Sequence, residues 1–534
     1  MTALSSWFLT RAERGNPDTA IDARRGDGSA WTEGNLVQPL IHGATYYRRL
    51  LEALAELGPG DQVHFVDWRG DRDERLTPQG PAVGDLLAGL AARGVAVRGL
   101  VWRSHPRLLS FTEAANRHLG AEINRSGGEV LLDERVRPFG SHHQKMVIVR
   151  RPGPGDDARA FVGGIDLCHS RRDDADHLGD PQPQPMARQY GPRPPWHDIQ
   201  VEVQGPAVAD LEHCFAERWH DPAPLDRRTP RRAALAWLAH EPRHPRPLRG
   251  AWPTPPPAGP HAVQVLRTYP PRHPPYPFAR QGERSIARAL IKAVRRARSL
   301  IYIEDQYLWS PEVAAVLATQ LRRVPSLRLL AVVPRFPDAD GRLTGPPNRI
   351  GQLAALSLLR QAGRERVGVF DLENRHGGPV YVHAKACVVD DVWALVGSDN
   401  FNRRSWTHDS ELSCAVLDTT LDPRRPTDPG GQGDGARAFA RSLRLQLWAE
   451  HLGRSPDDPA LLDPEQSLPL WRATAATVAA WHAGGRRAAH PAGRVLAHHP
   501  APVAPWAAWW ARRVYRTLYD PDGRTAADRR AHRF

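Results

Sequence analysis

The run YVHAKACVVDDVWALVGSDNFNRRSWTHDSEL, residues 381–412, spaces His383, Lys385, Asp390, Ser398, Asn400 and Glu411 around two short apolar segments. Ala386–Val389 is small, apolar and β-branched and reads as a buried strand. Val392–Val396 reads as a second strand, turned at Asp390-Asp391. A hairpin of this kind brings His383, Lys385 and Asn400 to one end of a sheet. An imidazole, an ammonium and an amide gathered there suit attack on a phosphoryl group and the holding of its oxygens.

Upstream, helical and extended patterns alternate. Thr45–Leu57 carries Tyr46, Leu50, Leu51 and Leu54 at helical spacing, Val63–Trp68 reads as a strand, Pro81–Arg93 as a helix and Val95–Trp102 as a strand. The second half repeats the order with the amphipathic helix Glu283–Arg298, the strand Ile301–Glu304, the helix Pro311–Arg323 and the strand Leu327–Val333. A duplication requires a second His-x-Lys one repeat earlier. Ser141-His142-His143-Gln144-Lys145 supplies it, followed by apolar Met146–Val149 and by the run Phe161-Val162-Gly163-Gly164-Ile165-Asp166-Leu167. His143 lies 240 residues before His383, and the strand at Val63 lies 238 before Ile301. The expected fold class is α/β, two tandem repeats with central mixed sheets flanked by helices, related by a pseudo-twofold with the active site at their interface.

The first copy departs from the second where Arg150 stands at the position of Asp390; Asp156 or Asp157 is the candidate for a replacement salt bridge. The expected organisation is a first repeat over 1–220, opening with an irregular, turn-rich lead-in over 1–44. A Pro/Arg-rich linker over 221–262 follows, holding a short helix at Ala233–His240. A second repeat spans 263–453 and a helical extension 454–534. Near the end, PWAAWWARRVYRTLYDPDGR places Trp506, Trp509, Trp510, Val514 and Leu518 at helical spacing, interleaved with Arg512, Arg513 and Arg516. Such a stripe is expected to pack on the domain through its aromatic face rather than to lie among lipid headgroups.

A hydrophobic fraction of 41% over 534 residues suits a globular chain of two or three domains. No apolar run approaches the roughly 20 residues that span a bilayer, and MTALSSWFLTRAERG lacks the pattern of a signal peptide. Cys168, Cys214, Cys387 and Cys414 form neither a CxxC pair nor a dense framework, which fits a reducing interior and a cytoplasmic location. The net charge of +13 attracts polyanions, nucleic acid or an anionic membrane surface. Arginine supplies nearly all of it, so Lys145 and Lys385 stand out.

The pattern HxKxxxxD(x6)GSxN, complete from His383 to Asn400, resembles the signature of the phospholipase D superfamily. AFVGGIDL with Cys168 after it, PWHD at 195–198, IYIEDQY at 301–307, GSDNFNRRS at 397–405 and LWAEHLG at 447–453 resemble its eukaryotic type, in order, over about residues 31 to 453. The resemblance implies two phospholipase D-like repeats, with His143 as nucleophile forming a phosphohistidine and His383 as acid and then base. Lys145 and Lys385 would neutralise the phosphate oxygens, and Asp166 would stand where the second motif has Asn400. Ser398, Asp166 and Gly164 are expected to border the substrate. Asp390 is counted with the catalytic residues of the motif, although its acid reads as a partner that stabilises the fold. A histidine in this role needs an acceptor on its second nitrogen; Glu411, which follows His383, and Asp198, which follows His143, are the candidates. No metal or cofactor is implied, since two lysines and amide donors supply the positive charge and no HExxH occurs.

The expected activity is hydrolysis of glycerophospholipids, with transphosphatidylation at the same intermediate, by a chain that docks on an anionic membrane surface and needs no partner to complete its site. A cardiolipin synthase-like phosphatidyltransferase and a nuclease of the same superfamily are the alternatives. No stable nucleic-acid complex is expected, because the aromatic and basic residues are not interleaved around the motifs.

Overall fold

The structure, a computed structural model, describes the chain except residues 1–2, 24, 26, 105–111, 152, 154–156, 227–229, 239–240, 243–244, 249–252 and 532. Strands of the first half are β1 (Thr32–Ile41), β2 (Gln62–Asp67), β3 (Ala96–Trp102), β4 (Glu129–Asp133), β5 (Met146–Arg150), β6 (Arg159–Gly163), β7 (Trp196–His197) and β8 (Ile199–Gln204). Those of the second half are β9 (His261–Tyr269), β10 (Glu283–Arg284), β11 (Leu300–Asp305), β12 (Arg328–Val332), β13 (Val367–Leu372), β14 (Tyr381–Val382), β15 (Lys385–Val389), β16 (Trp393–Gly397), β17 (Glu411–Asp418) and β18 (Val495–Ala497).

All but β7 and β14 join one mixed sheet, and its order shows the duplication. From the outer edge inward the first half runs β4-β3-β2-β5-β6-β8-β1, and from the other edge the second runs β18-β13-β12-β11-β15-β16-β17-β9. β2, β3 and β4 are parallel, as are β11, β12 and β13; the strands nearer the centre are antiparallel. The halves meet at β1 and β9, which pair antiparallel at Thr32 with Val263 and at Asn35 with His261, with a register shift between. The pseudo-twofold passes through this seam.

Burial on both faces explains why the strands are continuous apolar runs rather than alternating ones. β2, β5, β11 and β15 are buried at every position. One face is covered in the first half by the helices Gly43–Ala55, Val83–Ala92 and Glu113–Arg125, and in the second by Ser285–Arg296, Pro311–Arg323 and Gly345–Gly363. The helices Ala207–Trp219 and Ala438–Leu452 lie on the other face over a core drawn from both halves, including Val201, Phe215, Val265 and Trp448. The helix Pro311–Arg323 starts where the sequence reading places it, because Ser310 accepts from the Val313 N–H and Pro311 occupies the first turn.

The lead-in expected over 1–44 is corrected. Thr32–Ile41 forms β1 at the centre of the sheet, Trp7, Phe8 and Leu9 are buried, and fully buried Arg14 pairs with Asp22 and Glu283. The second half therefore supplies the surface that orders the first residues. The linker helix runs Pro230–Leu238, earlier than expected; His240 lies outside the described residues. The extension after 454 adds β18 antiparallel to β13 and places Trp471 against Tyr302, Phe370 and Trp448. All four cysteines are buried and unpaired, and among the described residues no helix is long and apolar enough to cross a membrane.

Candidate active site

Each His-x-Lys segment is pinned to the other half of the chain. The His143 N–H donates to Ser410 O at 2.9 Å, and the Ser410 N–H to Ser141 O at 3.0 Å. Symmetrically, the His383 N–H donates to His197 O at 2.7 Å, and β14 pairs parallel with β7. Ser410 and His197 directly precede Glu411 and Asp198, so the backbone bonds carry those carboxylates to the histidines. Glu411 Oε2 lies 2.9 Å from His143 Nδ1, and Asp198 Oδ2 lies 2.7 Å from His383 Nδ1. The pairing is crossed: each histidine takes its carboxylate from the other repeat. With Nδ1 occupied, Nε2 is the nitrogen left for substrate.

Extended backbone puts residues two apart on one side, so each lysine follows its histidine. Lys145 Nζ donates to His143 O at 2.9 Å and lies 3.5 Å from Asp166 Oδ1. Lys385 Nζ donates to His383 O and, at 3.1 Å, to Gln306 Oε1. The charges of both lysines bear on both histidines, which marks the four groups as one site.

The two GxxN-like turns differ in a way the geometry explains. A Cβ on Gly164 would lie 2.2 Å from Asp198 Oδ1, so only glycine leaves room for that carboxylate. At the equivalent position Ser398 instead donates to Glu411 Oε2 at 2.5 Å and accepts from the Leu412 N–H. Asp166 Oδ1 accepts from the Trp68 and Arg69 N–H groups at 3.1 and 3.3 Å, whereas buried Asn400 leaves Oδ1 without a hydrogen-bond partner.

Asp390, expected among the catalytic residues of the motif, stands apart from the histidines and lysines. It sits at the far end of β15 from Lys385, in a turn where Asp390 and Asp391 both have positive φ (52° and 57°). Its carboxylate accepts from the N–H groups of Arg298, Ser299 and Leu300 at 2.7, 2.9 and 2.8 Å, closing the entry to β11. Its counterpart Arg150, buried, donates to Glu212 Oε2 and Pro253 O, both at 2.6 Å, and ties the end of β5 to the helix Ala207–Trp219. Asp157 pairs with Arg159 instead, and Asp156 lies outside the described residues.

Several residues around the site had no role in the sequence reading. His197 and His451 share Glu304 through bonds of 2.7 and 2.8 Å, and His42 and His177 share Glu450 through bonds of 2.7 and 3.0 Å. This buried pair of His–Glu–His bridges lies directly behind His383, through the carbonyl of His197. Asp67 and Asp305 end β2 and β11 as equivalents, and the Phe401 N–H donates to Asp305 at 2.8 Å. Arg171 lies 4.0 Å over the Trp196 ring, itself 4.9 Å from His383. The signal was present in WHD and LWAEHLG, whose His197, Glu450 and His451 build the bridges.

Burial, with the charges of Lys145 and Lys385 added, holds His143 well below the ordinary imidazole range. Burial, Lys385 and Arg171 do the same to His383. Burial raises the two carboxylates unequally. Asp198 rises to about 6, with Lys385 opposing. Glu411 rises to about 8, with Asp409 adding to the rise. Burial lowers Lys385 to about 7. An anionic phosphate arriving there favours the charged forms of the two imidazoles and of Lys385.

The imidazoles and carboxylates of the two bridges converge closely enough to hold a cation, as His42, His177, His197 and Glu450, and as His197, Glu304 and His451. Both carboxylates are already taken by imidazoles, and burial notwithstanding, Asp173 and Glu450 raise His177 to about 9. Beside Gln306 a cavity of about 570 Å³ is lined by Tyr307, Trp309, Arg335, Phe336, Arg349 and His482, among others.

The family model described as Phospholipase D matches residues 71–231 and 368–488, and the one described as Cardiolipin synthase, PLD-like domain, matches residues 284–422. Phospholipase D alpha 1 of Zea mays is 26% identical over 508 residues, covering 70% of this chain and 58% of the relative. Phospholipase D beta 2 of Arabidopsis thaliana is 27% identical over 559 residues, covering 82% and 58%. The chain thus spans about three fifths of the length of these relatives. Phosphatidylserine synthase of Haemophilus influenzae Rd KW20 aligns with a TM-score of 0.47 at 15% identity, over 72% of this chain and 82% of that one. Matched by the Phospholipase D model over more than half its length, in both halves of a duplicated sheet, the chain belongs to the phospholipase D family, whose members are phosphodiesterases.

Proposed function

We propose that this protein cleaves glycerophospholipids as a phospholipase D-type phosphodiesterase, through a phosphohistidine on His143. The crossed pairs, His143 with Glu411 and His383 with Asp198, carry the reading, because they give two imidazoles, each on a differently tuned carboxylate, beside two lysines. A carboxylate raised to about 8 sustains an imidazolium poorly, so His143 beside Glu411 suits the neutral nucleophile. Asp198, near 6, is ionised at neutral pH and gives His383 a counter-ion. The negative charge of an arriving phosphodiester offsets the lysines that otherwise keep this imidazole neutral, so that it can hold the proton it donates.

His143 Nε2 attacks phosphorus and the P–O bond to the leaving alcohol breaks, the alcohol taking its proton from His383. Lys145, Lys385 and the Asn400 amide hold the non-bridging oxygens as charge builds on them. Neutral His383 then takes a proton from water, whose oxygen attacks phosphorus, breaks the P–N bond and frees His143. A primary alcohol in place of water yields the exchanged phosphatidyl ester. The match of residues 284–422 to the cardiolipin synthase model supports a second reading, in which a lipid hydroxyl is the usual acceptor.

The test is an assay of purified protein on phosphatidylcholine vesicles containing a primary alcohol, with EDTA present. Phosphatidic acid and phosphatidyl-alcohol should both form, and both should vanish in His143→Ala and in His383→Ala. Cleavage of a labelled DNA oligonucleotide with lipid untouched would overturn the reading in favour of a nuclease.

A further inference from the structure

We propose that the helix Pro505–Val514 and the turn after it seat the rim of the active site on an anionic phospholipid bilayer. The inference rests on the lipid reading above and names the surface that serves it. The expectation of an aromatic face turned inward is reversed here. The helix packs through Ala507, Ala511 and, just beyond it, Tyr515, all buried, while Trp506 and Trp509 remain 75% and 69% exposed. Two indoles one turn apart, left in water by a helix that docks through alanines, have no role in the fold.

Their neighbours supply the complementary charge. Arg512, Arg513 and Arg516 are exposed, the Arg513 guanidinium lies 4.9 Å over the Trp509 ring, and no acidic residue occurs from Pro505 to Tyr519. Indoles with an apolar body and a polar N–H, interleaved with arginines, match the layer between acyl chains and anionic headgroups.

The segment also borders the site. The Tyr515 hydroxyl lies 2.8 Å from both Trp309 O and Asp520 Oδ2, and Trp309 stacks on Tyr307 next to Gln306, the partner of Lys385. On the other side, one arginine ties the two halves of the rim together. Arg404 donates to Leu518 O at 2.8 Å and to Phe139 O at 2.7 Å, while its Nε holds Asp409 at 2.6 Å. Asp409 in turn accepts from the Ser141 N–H at 2.8 Å, two residues before His143. Phe139 is 60% exposed at a φ of 64°, and Leu518 is 40% exposed. Phe139 thus adds an exposed aromatic surface to the rim on the side of the first repeat. The apolar side chains of both halves therefore stand on the rim beside the nucleophile, where an ester entering from a bilayer first arrives.

Co-sedimentation of the full chain with phosphatidylcholine vesicles, with and without added phosphatidylglycerol, tests the surface; hydrolysis of a short-chain phosphatidylcholine kept below its micellar concentration reads the site separately. Binding should be stronger to the anionic vesicles and accompanied by a blue shift of tryptophan emission. Near-surface arginines contribute about 1 kcal/mol each, about fivefold per residue, so Arg512→Ser/Arg513→Ser/Arg516→Ser should bind anionic vesicles about 100-fold more weakly. Trp506→Ala/Trp509→Ala should lose binding to both vesicle types, and every variant should hydrolyse the monomeric substrate as the parent does. Unchanged vesicle binding in the tryptophan variant overturns the proposal, as does a parent that binds no vesicle while hydrolysing the monomer. A parent that binds vesicles but leaves the monomer intact refutes the activity and leaves the docking surface standing. Loss of a dimer on gel filtration in the tryptophan variant, with vesicle binding intact, would reassign the patch to contact between copies of the chain.

Discussion

Replacing each orienting carboxylate by its amide separates the two half-reactions. Glu411→Gln keeps the side-chain volume and an oxygen for the Ser398 hydroxyl, but removes the ionisable carboxyl group 2.9 Å from His143 Nδ1. Asp198→Asn does the same at 2.7 Å from His383. Acid–base assistance contributes about 10²–10⁴-fold, so each amide should lower kcat/KM on phosphatidylcholine by that factor, about 3–5 kcal/mol of barrier. The variants diverge on phosphatidyl-p-nitrophenol, whose headgroup departs as nitrophenolate without taking a proton. Asp198→Asn then retains attack by His143 and stalls at the second step, where His383 must act as base. Stopped-flow absorbance should show a nitrophenolate burst of about one equivalent followed by slow turnover. Glu411→Gln weakens the attack itself and should show no burst. A burst in Glu411→Gln and none in Asp198→Asn would invert the assignment of nucleophile. Full activity of either amide on phosphatidylcholine would refute the role of the crossed pairs altogether.

Asp390→Ala should leave kcat of the folded enzyme within about twofold, while losing stability of about 2–5 kcal/mol in urea titration, since three backbone N–H groups lose their acceptor. A large loss of kcat at unchanged stability would return Asp390 to the chemistry. Gly164→Ser, which makes the first turn resemble the second, should abolish activity, because its Cβ meets Asp198 Oδ1 at 2.2 Å; activity near that of the parent would show that the carboxylate moves freely. Binding of orthophosphate at pH 7.5 should take up protons, since Lys385, lowered to about 7, is mostly neutral in the empty site and charged beside the anion. Lys385 alone contributes about three quarters of a proton at that pH, and the uptake should fade below about pH 6, where the amine is already charged. Calorimetry in buffers of different ionisation enthalpy measures it, and proton release would contradict the sign. Glu304→Gln should lower kcat with little change in KM, because it loosens His197 and through its carbonyl His383, without touching substrate; an unaltered kcat would show that the bridges serve the fold alone.

The duplication was legible because its parts are local. His143 and His383 stand just before the short apolar strands β5 and β15, and Pro311 with Ser310 marks a helix start that the structure keeps. β1 was missed for a physical reason. Gly34, Asn35 and Pro39 interrupt its pattern, and beyond Asn35 the strand pairs only with β8, leaving the open side that a proline requires. Only the folded second half makes TEGNLVQPLI a central strand. The carboxylates Asp198 and Glu411 were recognisable as residues, but chain order points each to the nearer histidine, and the exchange arises from cross-repeat backbone bonds at Ser410 and His197. The His–Glu–His bridges draw on residues as distant as His42 and Glu450, so WHD and LWAEHLG show some of their members but not how they pair. The outward tryptophans of the last helix reverse the usual reading of an aromatic stripe because Ala507 and Ala511 make the closer contact with the domain.

The crossed pairs also set when, during synthesis, the site is first complete. A ribosome releases His143 long before Glu411, and the first repeat, however well folded, then displays His143 with no carboxylate on its Nδ1. The second repeat alone would present His383 without Asp198. Catalysis waits until the last antiparallel strands close on the seam between β1 and β9, so competence appears in a single event late in assembly. Two separately expressed halves, divided in the linker, should accordingly be silent apart and active together, with a rate that follows their association.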